Sequence, residues 1–293
     1  MIRCNSLGSR IYVQIATTYH ELQRKALERY YNGATNSGRL RGVTTDRRER
    51  PLIVSLTTIP SRLNQKAHLA IASLLDQSLA PNRVILWISD SLCDQSLPSA
   101  FHRLKEAGLE IEFCQDIGPH TKLVPALMAY PDAVHVTADD DCLYTQGWLA
   151  GLYRAYCAEP EVIHCWRAHR ITRDDRGQIR PYSEWDWMAP GTSGPDHSLF
   201  QTGVGGVLYP PGSLADEVLN QSVFRTICRS NDDIWFKAMA QLQGTRIKKV
   251  RPKSVSYRTV GGSQVEQLWS VNSAANDEQI RLVFEKYDLQ YQA

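Results

Sequence analysis

Three adjacent carboxylates close a hydrophobic segment that is predicted to be a β-strand. The segment AVHVTADDD, residues 133–141, ends in Asp139, Asp140 and Asp141. Alternation along an extended strand sends Asp139 and Asp141 to one side and Asp140 to the other. Two carboxylates facing one space, with waters and a diphosphate, suit Mg²⁺ or Mn²⁺. The alternative is an acidic run in a solvated loop.

Hydroxyl and cationic side chains lie at the end of the first predicted strand, residues 52–59, in the motif TTIPSR. Thr57 and Thr58 offer hydroxyl groups, Pro60 stiffens the turn, and the planar guanidinium of Arg62 suits a phosphate group. A plain strand-to-helix loop would explain the same residues.

A lysine precedes the acidic strand, in the segment GPHTKLVPAL. Lys122 is a candidate contact for a diphosphate or a sugar hydroxyl group, although a solvated lysine is the simpler interpretation.

A second acidic pair begins a predicted helix over residues 230–244, in the motif SNDDIWF. Ser230 or Asn231 would cap this helix, and Asp232 and Asp233 occupy its first turn. The helix dipole favours acids there, which predicts lowered pKa values and ionised side chains. An ionised carboxylate at this position suits a general base, while capping alone would also explain the pair.

Aromatic and glycine residues mark the second half of the chain. Trp185 and Trp187 offer faces that suit a sugar ring, and core packing would explain them equally well. The segment GVGGVLYPP, residues 203–211, is predicted to be a glycine-rich strand that contains Gly205 and Gly206.

Strands and helices alternate from residue 51 onward, which predicts an α/β fold with a doubly wound, mostly parallel sheet and helices on both faces. The further predicted strands are 83–90, 110–116 and 162–172, and the predicted helices are 64–78, 96–108, 145–159 and one from about 274. In open sheets of this kind, ligands bind at the carboxyl ends of the strands.

The charge of the chain is uneven, although the formal net charge of its 293 residues is only +2. Nothing in that total indicates a nucleic-acid partner. Residues 1–50 are predicted to be a basic helical arm and linker, with a net charge of +6 and a helix over residues 19–31. Such an arm suits an anionic membrane surface or an acidic protein, and a solvated arm is the alternative.

The cysteines and the hydropathy pattern bear on location. Seven cysteines are scattered without a C-x-x-C pair, which favours reduced thiols. No apolar run approaches the roughly 20 residues that a membrane span needs, and no secretory signal is recognised. We therefore expect a cytoplasmic protein, peripheral at the inner face of the membrane if the arm docks there.

These motifs, in this order, resemble those of the GT-A glycosyltransferases, and more closely the family 2-like bacterial enzymes of surface-polysaccharide synthesis. The resemblance covers residues 51–260. IVSLTTIPSR resembles the nucleotide-binding edge, and Asp90 matches the acidic residue that contacts the base or ribose. ADDD resembles the D-x-D motif that holds a divalent metal, GVGGVLY resembles the strand lining the acceptor side, and NDDIWF matches the helix start that supplies the base.

The resemblance implies a metal-dependent glycosyltransferase domain over residues 51–293, with a donor half at about 51–145 and an acceptor half at about 146–293. It would move a sugar from a nucleotide-diphosphate sugar to a glycan or lipid-linked acceptor. Direct displacement, with Mn²⁺ or Mg²⁺ on Asp139 and Asp141 and Asp232 rather than Asp233 as the base, would invert the anomeric centre.

The resemblance also assigns binding residues. The donor contacts would be Thr57, Thr58, Pro60, Arg62, Asp90, Lys122, Asp139, Asp140 and Arg258, and the acceptor contacts would be Trp185, Trp187, Gly205 and Gly206. Many GT-A enzymes add a metal-binding His from a late loop, whereas this chain has Tyr257 and Arg258 there. Either the metal has fewer protein ligands, or Arg258 contacts the diphosphate itself.

Two other functions use similar parts. A nucleotidyltransferase also combines a doubly wound sheet with acidic metal ligands, but it usually has a glycine-rich phosphate loop after the first strand, and TTIPSRL has no glycine. A non-catalytic module that binds a sugar or nucleotide would bind the donor without turnover.

Overall fold

The computed structural model describes residues 7–255, 257–261 and 268–289. The helices are α1 (Leu7–Asn36), α2 (Pro60–Leu63), α3 (Ala67–Leu75), α4 (Ser99–Glu106), α5 (Val124–Ala129), α6 (Trp148–Ala158), α7 (Gln221–Ile227), α8 (Asp232–Leu242) and α9 (Leu268–Lys286). The strands are β1 (Leu52–Thr57), β2 (Arg83–Ser89), β3 (Leu109–Cys114), β4 (Val134–Thr137), β5 (Cys142–Leu143), β6 (Ile163–Cys165), β7 (Ala168–Arg170), β8 (Leu199–Gln201), β9 (Val207–Tyr209), β10 (Ile247–Lys249) and β11 (Arg258–Thr259).

Seven strands form the main sheet, in the order β10-β6-β9-β4-β1-β2-β3. β1, β2, β3 and β4 are parallel, β9 runs antiparallel to both β4 and β6, and β10 is parallel to β6. Only β9 is reversed within this sheet. The predicted α/β class with a mostly parallel sheet is confirmed.

Strand β1 shows why helices cover both faces of the sheet. Leu52, Val54 and Leu56 are fully buried and pack in the same apolar cluster as residues of α3. Ile53 points the other way and packs with Ala126 of α5. Because successive side chains of a strand alternate between faces, an apolar run of this kind needs cover on both sides.

The second half of the chain departs from the predicted elements. The predicted strand over residues 162–172 is divided into β6 and β7, which belong to different sheets, and β7 pairs with β8. The predicted strand over residues 203–211 begins only at Val207. The residues before it form a turn because Gly205 and Gly206 adopt φ angles of +104° and +93°, which are incompatible with a strand.

Helix α1 packs on the sheet domain through its carboxyl-terminal half. Tyr31 is 2% exposed within the main apolar cluster, and its hydroxyl group donates to the Tyr144 carbonyl at 3.2 Å. Further along, Arg48 donates to the Asn82 side chain at 2.6 Å. A solvated arm does not describe these residues, although the domain boundary at residue 50 stays a prediction.

Replacing Tyr31 with Ala should lower the free energy of unfolding by about 3–5 kcal/mol, because it removes a buried aromatic ring and leaves a cavity. Urea unfolding measures this change. Tyr19→Ala on the same helix is the matched control, since Tyr19 is 59% exposed and its loss should change stability by less than about 0.5 kcal/mol. Equal effects of the two substitutions would mean that α1 does not belong to the folded domain.

Within the described residues, no helix combines the length and apolar character that crossing a bilayer requires. The cysteines that the structure describes are free thiols, and Cys4 lies outside the described residues. A cytoplasmic location and a membrane or protein contact through the basic segment stay predictions.

Candidate functional site

The three consecutive aspartates lie in a turn between β4 and β5 at the carboxyl edge of the sheet. Strand β4 ends at Thr137, so the prediction that it continues through residue 141 is wrong. Strand alternation therefore cannot explain where the carboxylates point. The turn nevertheless brings oxygen atoms of Asp139 and Asp141 and the Cys142 sulfur within 4.8 Å of one another. The predicted pair of carboxylates is thus close together for a different reason.

Two residues after β1 hold the middle aspartate. The Thr58 hydroxyl group donates to Asp140 Oδ2 at 2.5 Å, and Arg62 Nη1 donates to Asp140 Oδ1 at 2.7 Å. Arg62 Nη2 also lies 3.2 Å from Asp141 Oδ2. Arg62 is only partly buried, so its guanidinium neutralises this turn while staying accessible from the cleft. A small hollow beside it is lined by Lys66, Asp140, Asp141 and Gly261 among others.

The acidic turn fits a hard divalent cation. Burial raises the pKa of Asp141 to about 6, and the neighbouring Asp139 carboxylate adds to the effect against the opposing charge of Arg62. Such a group is stabilised as an anion when a cation binds beside it. Burial also raises the pKa of the Cys142 thiol well above its usual value, which keeps it protonated. Asp139 and Asp141, rather than Cys142, are therefore the residues able to hold Mg²⁺ or Mn²⁺.

One buried lysine links this turn to the second acidic pair. Lys122 Nζ lies 3.3 Å from Asp139 Oδ1 and 3.0 Å from Asp232 Oδ2. Burial alone would lower the pKa of Lys122, but the carboxylates of Asp232 and Asp139 outweigh it and hold the pKa well above its usual value. The lysine is therefore a fixed positive charge between the two acidic groups.

Asp232 and Asp233 begin α8, as predicted, and Asn231 is its N-cap, since its side chain accepts from the Ile234 amide at 3.3 Å. The two carboxylates have different partners. Asp232 faces Lys122, whereas Asp233 Oδ1 accepts from the Gly203 amide at 2.9 Å. A Cβ atom at Gly203 would lie only 2.7 Å from Lys122 Nζ, so a glycine there lets the backbone approach this group.

The predicted lowering of these pKa values by the helix dipole is wrong. Burial raises the pKa of Asp232 to about 7, and the charges of Asp233 and Asp139 add to the effect while Lys122 opposes it. The pKa of Asp233 is raised as well, again chiefly by burial. Both side chains sit deep in the cleft, where loss of solvation outweighs a helix dipole that acts mainly at exposed ends.

Of the remaining predicted donor residues, some lie exposed near the edge of the cleft and others contact different parts of the protein. Asp90 is exposed at the carboxyl end of β2, and Pro60 is exposed at the first position of α2. The Thr57 hydroxyl group donates to the Trp87 carbonyl at 2.9 Å and so joins β1 to β2. Arg258 lies in β11, and its guanidinium contacts Gln23 and His20 of α1. The structure gives it no contact with the acidic turn among the described residues.

The predicted acceptor residues differ in exposure. Trp185 is 3% exposed, its indole group donates to the Arg180 carbonyl, and its ring packs against Phe200, so the core-packing interpretation describes it. Trp187 is partly exposed and lies 4.2 Å from the His169 ring, measured between centroids.

Gly205 and Gly206 pack against a buried tryptophan. The Trp148 indole donates to the Gly205 carbonyl at 2.6 Å, and a Cβ atom at Gly206 would lie 2.4 Å from the Trp148 ring. These glycines shape the turn that carries Gly203 toward the acidic pair.

Two polar residues of the site were not predicted from the sequence. Tyr144 accepts from the Asp139 amide through its hydroxyl oxygen at 2.8 Å and so fixes the acidic turn. Arg167 lies just after β6, and its Nε donates to the Thr202 hydroxyl group at 2.8 Å. The sequence predicts one strand over residues 162–172 with Arg167 inside it, so the strand end that marks such residues was not visible in the sequence.

The sequence matches no model of a protein family and no curated protein. Among solved structures, the chain is similar to the mannosyltransferase PcManGT from Pyrobaculum calidifontis in complex with GDP-Man and Mn²⁺. The TM-score is 0.49 and the identity 15%, over 94% of this chain and 76% of that one. It is also similar to a CMP:2-keto-3-deoxy-manno-octonic acid synthetase complexed with CTP. There the TM-score is 0.40 and the identity 12%, over 78% of this chain and 98% of that one. At these identities, what either protein binds is not transferred to this chain.

Proposed function

We propose that this protein is a metal-dependent glycosyltransferase, which moves a sugar from a nucleotide-diphosphate sugar to a hydroxyl group of a glycan or lipid-linked acceptor in polysaccharide biosynthesis. The observation that carries the proposal is the double contact of Lys122. Its ammonium group lies 3.3 Å from a carboxylate of the metal-binding pair and 3.0 Å from Asp232. This arrangement supports a diphosphate-binding centre and a general base on either side of one cation.

The donor diphosphate would lie beside the acidic turn. Mn²⁺ or Mg²⁺ held by Asp139 and Asp141 would neutralise charge on the leaving diphosphate. Arg62 presents its guanidinium fork beside the same turn, held in place by Asp140. The fork and Lys122 supply fixed positive charge where the leaving group becomes more negative, which is the arrangement that stabilises such a transition state.

The acceptor hydroxyl group would face Asp232. This carboxylate takes the hydroxyl proton as the oxygen attacks the anomeric carbon, and a pKa of about 7 makes it an effective base near neutral pH. Lys122 stabilises the ionised form and holds its orientation. Because the attack and the departure of the diphosphate occur on opposite sides of the sugar, a single displacement inverts the anomeric centre, as in inverting glycosidases.

The buried carboxylate supports glycosyl transfer over the transfer of a nucleotide to an acceptor that is already ionised. A nucleotidyltransferase that joins a nucleotide to a sugar phosphate or a carboxylate uses a nucleophile that is already ionised near neutral pH. It needs no base beside the attacking oxygen. A sugar hydroxyl group does need one, and the raised pKa of Asp232 suits that role.

A panel of nucleotide-diphosphate sugars with Mn²⁺ tests the proposal. At least one of them should stabilise the protein against heat and be hydrolysed slowly without an acceptor, and both effects should disappear in EDTA. The comparison experiment supplies nucleoside triphosphates with the same set of bases, together with sugar phosphates. Pyrophosphate release there, without hydrolysis of any nucleotide sugar, would identify a nucleotidyltransferase instead, and binding without turnover would identify a non-catalytic module.

A further inference from the structure

Arg167 is a cation of the cleft that makes no direct ion pair with a carboxylate of the described residues, and its charge acts on Asp233 only from a longer distance. Arg62 pairs with Asp140 and Asp141, and Lys122 pairs with Asp139 and Asp232. Within residues 7–255, 257–261 and 268–289, no carboxylate oxygen lies within ion-pair distance of Arg167. Its side chain is nevertheless half-buried, and a half-buried guanidinium is normally paired.

The guanidinium is held by a bond that leaves its other nitrogens available. Nε donates to the Thr202 hydroxyl group at 2.8 Å, and the Thr202 amide donates back to the Arg167 carbonyl at 3.2 Å. The Nη1 and Nη2 groups have no described protein acceptor. A side chain fixed at Nε with two terminal amino groups free is preorganised to bind the two oxygens of an anion.

Arg167 adjoins the acidic pair, since its charge lowers the pKa of Asp233 against the effect of burial. Gly203, which follows Thr202, donates its amide to Asp233 and passes close to Lys122. Arg167 therefore lies beside the acidic pair, which faces the acceptor in the proposed reaction. The donor diphosphate belongs at the acidic turn, so we assign a ligand group at Arg167 to the acceptor.

An aromatic surface adjoins the arginine. Arg167 directly precedes β7, and alternation along that segment places Arg167 and His169 on the same face. The Trp187 ring lies 4.2 Å from the His169 ring and 5.5 Å from the Tyr182 ring, between centroids. An exposed part of Trp187 beside a fixed guanidinium suits a sugar ring that carries a negative charge.

We propose that Arg167 binds an anionic group, a carboxylate or a phosphate, that the acceptor sugar carries close to its reacting hydroxyl group. This subsite rests on the proposed function for its place on the acceptor side. It assigns the acceptor to acidic glycans or to sugars linked through phosphate, and it excludes neutral glycans as preferred acceptors.

Binding of small sugars tests the subsite without turnover. Methyl glucuronide and glucose 1-phosphate are the anionic probes, and methyl glucoside is the neutral one, each titrated in EDTA with affinity measured by ligand-observed NMR. At least one anionic probe should bind the unmodified protein roughly tenfold to a hundredfold more tightly than the neutral probe, the range expected for charge-assisted hydrogen bonds. Which one does so distinguishes a carboxylate from a phosphate.

Three variants complete the design. Arg167→Gln should remove the preference for the anionic probe, and Arg167→Lys should keep part of it, because it retains the charge and loses the fork. Arg154→Gln, at an exposed arginine of α6, should leave the preference unchanged. Equal binding of anionic and neutral probes, no binding of either, or an unchanged preference in Arg167→Gln would each overturn the proposal. Since no probe is turned over, these results are independent of whether donor hydrolysis is observed.

Discussion

Asp232→Asn should lower kcat by a factor on the order of 10²–10⁴, the usual loss when a general base is removed. The substitution keeps the size of the side chain and its place beside Lys122, but an amide cannot take the acceptor proton. Binding of the donor with metal present, measured by calorimetry, should stay close to that of the unmodified protein, because Asp232 is not one of the metal-binding pair.

The pH dependence of kcat/KM, which reports the pKa of the free enzyme, provides a second test of the same base. With its pKa raised to about 7 by burial, Asp232 is mostly protonated and inactive below that pH and ionised above it. The value of kcat/KM should therefore fall about tenfold for each pH unit below about 7 and level off above it. The Asp232→Asn variant should be much slower, and its remaining activity should not fall with decreasing pH below about 7.

Asp233→Asn is the matched control for the base. Its carboxylate accepts from the Gly203 amide, so its replacement should disturb the position of that turn more than the proton transfer. We expect a smaller loss of kcat than for Asp232→Asn, with the acid limb retained. A larger loss in Asp233→Asn would exchange the two roles. A product with retained anomeric configuration, read by NMR, would remove the need for either base.

The sheet was predictable because local and global preferences agree there. β1 and β2 are apolar runs followed by helices, and such segments can be buried only between two helical layers. Strand β4 was predicted too long, since the sequence has no glycine or proline between its apolar residues and the aspartates to mark where it ends. Its end is set by tertiary contacts that the spacing of residues does not encode, among them the bond from the Asp139 amide to Tyr144.

The residue types of the site were predictable, whereas their pairings were not. Which carboxylate Arg62 or Lys122 contacts depends on how separate loops meet at the sheet edge. The raised pKa of Asp232 is a consequence of burial, and the depth of a helix start within a cleft is not visible in the motif NDDIW. Arg167 escaped prediction for a related reason, since β6 and β7 read as one continuous strand in the sequence.

The aromatic and late-loop residues show a further limit. Trp185 and Trp187 are two positions apart, yet one is buried in the core and the other is partly exposed. Composition cannot separate them, because both stand outside any regular element. Arg258 was assigned to the donor by motif order, and the structure instead joins it to α1, a helix that the sequence indicated as a separate arm.

Asp141→Ala should abolish transfer and metal-dependent donor binding, with a fall in kcat of roughly a thousandfold or more, because a divalent ion supplies several kcal/mol of charge stabilisation. Its carboxylate shares the turn with that of Asp139, within 4.8 Å, and burial raises its pKa to about 6. Titration with Mn²⁺, followed through the paramagnetic signal of the free ion, measures the loss of binding directly. The conservative Asp141→Asn should lose binding as well, since it keeps the volume of the side chain and removes only its charge.

Cys142→Ala tests whether the metal in this turn is bound by carboxylate oxygen or by thiol sulfur. The thiol lies beside both carboxylates, but burial raises its pKa well above the usual value, and a protonated thiol is a poor ligand for Mg²⁺ or Mn²⁺. Mn²⁺ affinity and transfer should therefore be kept in this variant. The unmodified protein should lose activity in excess EDTA and regain it on addition of Mn²⁺ or Mg²⁺. Full activity in the chelator would contradict a metal-dependent reaction. Loss of Mn²⁺ binding in Cys142→Ala with binding kept in Asp141→Asn would assign the turn to a softer metal held through sulfur.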